Sequence, residues 1–135
     1  MNVDARDSWQ RALRSLKTAR MLLGVDPDAA ASRAFYAAFY AVSGFMRLEQ
    51  KEFSRHSALE IAIHRDLVKT GRWSAERGAD YTFLRRLRAT GDYGGPTHVT
   101  EEDANAALGA AERILEAVAS AYPDVFGTRD DNPDD

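Results

Sequence analysis

Residues 26–50 constrain this chain more than any other stretch. Asp26-Pro27-Asp28 opens them with an acid able to cap a helix, a proline whose fixed φ suits the first turn, and a second acid at the positive end of the helix dipole. Phe35, Phe39, Val42 and Met46 then recur on one line, and Ala38, Ala41 and Phe45 on another. Apolar residues so placed cover more than half the circumference of the helix, which makes it the most buried one. The rest of the chain has to wrap it.

Four further segments carry the same period. Trp9, Ala12, Leu16, Ala19 and Leu23 mark a helix over 4–23, closed by Gly24. Leu59, Ile63 and Leu67 line one over 57–70, with Ser57 and Glu60 at capping-box spacing and Gly71 after it. Ala79, Phe83, Leu84 and Leu87 line one over 74–90, and Gly91-Asp92-Tyr93-Gly94-Gly95-Pro96 reads as the loop beyond it. Thr100-Glu101-Glu102-Asp103 caps a last helix, whose buried face is Ala104, Leu108, Ala111, Leu115 and Val118 and which Pro123 stops. No alternating β-branched run occurs. The expected fold is all-α, an antiparallel up-and-down bundle of four to five helices over 1–123, followed by an acidic, disordered tail over 124–135.

Composition narrows the function classes. With no cysteine among 135 residues, disulfides, thiolate catalysis and the commonest zinc sites are all excluded. The three histidines, His56, His64 and His98, do not fall at metal-ligand spacing with carboxylates, so no metal and no cofactor is expected. His56, just ahead of the third helix, reads as a capping or packing residue. No apolar run could span a bilayer and the start of the chain lacks a signal pattern, which makes a cytoplasmic location the default. The net charge of −3 is uneven: the tail from Asp124 holds five acids against Arg129, leaving a body of 17 basic and 16 acidic residues. Attraction to nucleic acid then depends on arginines clustering in space.

Two polar lines are candidates for such a cluster. On the second helix Arg33, Tyr36, Tyr40, Ser43 and Arg47 share a line beside the apolar stripe. On the fourth, Tyr81, Arg85, Arg88 and Asp92 share one that points roughly opposite Phe83 and Leu87. If the lines meet, Arg33, Arg85 and Arg88 face phosphates while Tyr36 and Tyr40 stack on bases. Otherwise the tyrosines finish the core and the arginines are solvated.

Four segments, in order over about residues 5–121, resemble small prokaryotic HEPN domains. They are Ser32-Arg33-Ala34-Phe35-Tyr36-Ala37-Ala38-Phe39-Tyr40-Ala41, the pair His56-Ser57, the run Leu84 to Gly94 containing Arg88-Ala89-Thr90-Gly91-Asp92-Tyr93, and Val99-Thr100-Glu101-Glu102-Asp103-Ala104. The resemblance implies a bundle that pairs as a homodimer with a cleft between protomers. Catalytic members are metal-independent endoribonucleases bearing Arg-x4–6-His, and many work in toxin–antitoxin pairs with a minimal nucleotidyltransferase. Carried onto this chain, it implies Arg88, Asp92 and Tyr93 as the catalytic segment, and Arg33, Tyr36, Tyr40 and Arg85 as RNA- or nucleotide-binding residues.

At the decisive position Arg88 is followed, after four residues, by Tyr93 instead of histidine, and His98 lies nine intervening residues away. A phenol with an ordinary pKa of about 10 is a poor base. The resemblance therefore carries RNA or nucleotide binding further than cleavage. Two other readings stay open: a non-catalytic binding subunit of a minimal nucleotidyltransferase, and a purely structural helical dimerisation module. In some catalytic members a tyrosine near this position is modified by the partner enzyme, a role the resemblance extends to Tyr93.

Overall fold

In the computed structural model, residues 3–53, 55–93 and 95–127 are described. They form α1 (Val3–Leu22), α2 (Pro27–Leu48), α3 (His56–Ala62), a π-helical stretch (Ile63–Val68), α4 (Ala75–Tyr93) and α5 (Glu101–Ala121). The fold is an all-α bundle, with no strand among the described residues. As its sequence requires, α2 is the hub, packed against α1, α4 and α5. Its buried residues include Ala30, Ala31, Ala34, Ala37, Ala38 and Ala41. Such small side chains let neighbouring helices approach closely, and Phe35, Phe45 and Met46 fill the space between.

Helix ends follow the caps read from the sequence. Asp26 accepts a hydrogen bond from the Ala29 amide (3.1 Å), and Thr100 accepts one from the Asp103 amide (3.0 Å). Gly71 has a φ of 83°, the left-handed conformation that closes the third helical segment. The Ser57–Glu60 capping box does not form: Arg55 is the N-cap and makes no side-chain cap. Glu60 is drawn away by two partners on α4, Arg85 and Thr82.

Three further expectations are corrected. Gly91, Asp92 and Tyr93 belong to α4 and not to a loop. Gly91 serves close approach there, since a Cβ on it would stand 2.9 Å from the Asp28 carbonyl oxygen. The turn falls later, at Gly95, whose φ is 89°. Tyr81 does not point away from the core but is buried in it, whereas Ala79 is exposed. The reason is that α4 lies in the corner between α2 and α5 and so buries a broader arc, including Gly78, Tyr81 and Leu84. Finally, Phe126 is buried against Trp9 (ring centroids 5.3 Å apart), so the packed body reaches past Pro123. The expected disorder of the acidic tail, in 128–135, falls outside the described residues. Among the described residues no helix is long and apolar enough to cross a membrane.

Candidate functional site

Arg33 and Tyr36 are one helical turn apart on α2, which places the guanidinium over the ring, 4.9 Å from its centroid. Arg88 reaches the same ring from α4: its Cζ lies 5.4 Å from the Tyr36 centroid and 5.4 Å from that of Phe35. Two cations from different helices thus share one aromatic platform, held by the electrostatics of the ring face. Arg88 also donates through Nε to Asp92 Oδ2, 3.0 Å away and one turn on along α4. Arg33 has no carboxylate partner among the described residues.

A histidine completes the group. His56, the first residue of α3, packs its ring on Phe39 (centroids 4.4 Å apart) and stands 5.9 Å from both Phe35 and Tyr36. Its pKa lies below the ordinary histidine value, first because the ring is partly buried and second because the Arg88 charge is close. The ring is therefore neutral at neutral pH. Below this layer, the Tyr81 hydroxyl is buried with no hydrogen-bond partner among the described residues. Burial raises its pKa, with the Glu60 charge acting the same way and Arg88 and Arg85 opposing.

Of the residues singled out by sequence, Arg33, Tyr36, Arg88 and Asp92 come together. Arg85 does not join them. Its guanidinium pairs with Glu60 (Nε to Oε1 2.9 Å, Nη2 to Oε2 3.4 Å), and the same carboxylate accepts from the Thr82 hydroxyl at 3.2 Å. Tyr40 stands at the edge of the group, its ring centroid 6.0 Å from that of Tyr36 and 5.5 Å from that of Phe39. Its other side faces α1 under Arg11, lining a groove of about 680 Å³ that also includes Arg47 and Lys51. Tyr93 is 79% exposed at the end of α4. His56 is the member that helical periodicity missed, because it lies on a different segment. Its only signal was the His56-Ser57 pair within the family-like pattern.

The HEPN domain model matches residues 5–130, nearly the whole chain. The protein belongs to the HEPN family. Among relatives of this HEPN protein is a UPF0332 protein of Thermotoga maritima, 34% identical over 119 residues that cover 87% of this chain and 90% of the relative. A second UPF0332 protein, from Gloeobacter violaceus, is 29% identical over 118 residues, covering 86% and 94%. The crystal structure of TT1696 from Thermus thermophilus superposes with a TM-score of 0.75 at 25% identity, covering 89% of this chain and 98% of that one. The family expected from the four sequence segments is therefore the family found.

Proposed function

We propose that this HEPN protein is an RNA- or nucleotide-binding module, acting as a homodimer in a toxin–antitoxin-like pair with a minimal nucleotidyltransferase. The observation that supports binding is the convergence of Arg33 and Arg88 on the Tyr36 ring, beside a neutral His56. Guanidinium forks suit phosphate oxygens, and an aromatic face between them suits a base. Only Arg88 has a carboxylate competitor among the described residues, and Asp92 is a single exposed partner whose ion pair is worth little against a phosphate. Support for the nucleotidyltransferase partner is the exposure of Tyr93, which leaves its phenol within reach of a second enzyme.

Binding is tested by fluorescence anisotropy of single-stranded RNA and of labelled nucleotides against salt. Arg33→Ala and Arg88→Ala should each weaken binding by about tenfold or more. Each should also flatten the slope of log affinity against log salt by about 0.7 on single-stranded RNA. Arg65→Ala, on an arginine already paired with Asp66, is the control and should change neither. Equal affinities for wild type and both site variants would remove the reading. The partner half is checked by co-purification with a minimal nucleotidyltransferase and by the mass of Tyr93 afterwards.

A further inference from the structure

We infer that the groove between α1 and α2 is a nucleobase pocket, taking the base and sugar of a nucleotide whose phosphate lies on Arg33 and Arg88. The inference rests on the binding reading above and adds a second subsite to it, one that senses bases.

The groove begins where the platform ends. Tyr36 and Tyr40 are one turn of α2 apart, a rise of about 6 Å, and their ring centroids are 6.0 Å apart. Tyr36 carries the two guanidiniums, and Tyr40 lines the groove. Phe39 joins them, with its centroid 6.1 Å from that of Tyr36 and its side chain in the groove wall. A ligand leaving the platform along α2 therefore passes straight into a cavity of about 680 Å³. That volume lies in the ordinary range for sites that hold a small organic molecule.

The lining suits a base better than a phosphate. Phe39, Met46 and Phe53 supply apolar surface for a flat ring, and the half-buried Tyr40 offers a face to stack on. The cations are already matched: Arg11 pairs with Asp7, Arg47 with Asp4 and Glu52, and Lys51 with Asp66. Three carboxylates line the groove beside these three cations, so it has no excess charge to draw a phosphate. On the platform, by contrast, Arg33 faces no carboxylate among the described residues. What the groove provides is donors and acceptors side by side, from its ion pairs and the Ser43 hydroxyl, which is the pattern on nucleobase edges. Ion pairs this exposed yield to a ligand at little cost. Arg11 stands 5.9 Å from the Tyr40 centroid, near the limit of attraction to a ring face, so it holds that face weakly. The α2 line of Arg33, Tyr36, Tyr40, Ser43 and Arg47 is thereby used along its whole length, phosphate end first.

Two labelled strands separate the subsites: a single-stranded RNA, and an abasic strand of equal length that keeps the sugars and phosphates. The full chain is titrated with each. Wild type should bind the RNA at least about tenfold more tightly than the abasic strand. Tyr40→Leu removes the stacking face and Ser43→Phe fills the groove; each should cut that preference at least about fivefold. Both should leave the salt slope on the abasic strand unchanged, whereas Arg88→Ala should weaken both strands. Melting curves check that the variants fold, and the half-buried Ser43 gives a second route if Tyr40→Leu does not. An unchanged preference in either folded variant overturns the inference. So does equal loss on the two strands, or a wild type that binds RNA no more tightly than the abasic strand. If Ser43→Phe splits a wild-type dimer in sedimentation, a second copy of the chain covers the groove and the inference fails. Absence of binding to either strand would instead overturn the binding reading beneath it.

Discussion

Tyr81 sets two demands against each other at one residue. Its ring is wanted in the core, where it meets Phe35 edge-on with centroids 5.7 Å apart. Its hydroxyl is buried without a partner among the described residues. An unpaired buried hydroxyl costs about 1–3 kcal/mol, whereas the ring contributes favourable area. Tyr81→Phe should therefore leave the fold intact and raise its stability by up to about 1–2 kcal/mol in urea unfolding. A loss of stability would show that the hydroxyl makes a bond worth keeping. The outcome also bears on the site, since the same hydroxyl lies in the field of Arg88, Arg85 and Glu60.

At the scale of elements, the start of α2 and the end of α4 are held in contact through Asp28. Its side chain accepts from the Val99 amide (2.8 Å) and stands 2.9 Å from His98 Nδ1, tying the segment before α5 to α2. Its backbone leaves no room for a side chain at Gly91. Alanine at 91 would gain about 1 kcal/mol of helix propensity, but its Cβ would meet the Asp28 carbonyl, which is backbone and cannot yield cheaply. Gly91→Ala should lower stability by about 1–3 kcal/mol and, under the proposed binding role, weaken RNA binding, because Arg88 lies one turn earlier on α4. A melting curve with a binding titration checks both parts. The position explains what was legible in the sequence and what was not. Asp26-Pro27 and Thr100 act within one turn of themselves, so composition shows them. Gly91 takes its meaning from a residue 63 positions away, so in isolation it reads as a turn glycine. The same holds for the site: Arg33 with Tyr36 and Arg88 with Asp92 were visible as helical neighbours, whereas His56 and the Glu60–Arg85 pair depend on how α3 docks against α2 and α4. Tyr81 was misplaced because a helical wheel assumes one buried face, and α4 has neighbours on two.

For the whole molecule, pH acts in two separate windows. His56 has its pKa depressed in the fold, so the unfolded chain binds the proton more readily. Its contribution is fully present above the ordinary histidine range and is lost as pH falls through that range. Asp28, Glu49 and Asp66 are depressed as well: the first mainly by the Val99 amide, the second by Arg72, and the third by Arg65, to about 2. Their contributions are present above the ordinary carboxylate range and fade as pH falls through it. Melting temperature plotted against pH should therefore descend in two steps. His56→Phe should abolish the upper step and leave the lower one; persistence of both would place the upper transition on another group.

The Tyr36 platform draws on three stretches of chain that touch only after the bundle has closed. A fragment lacking α2, α3 or α4 would lack part of it, and displacing any one of these helices would take its members apart. Conversely, a molecule seated there would clasp α2, α3 and α4 together, adding its own free energy of association to that of the native state. Melting temperature would then climb with the concentration of such a molecule, and withdrawing it would return the fold to its own intrinsic stability.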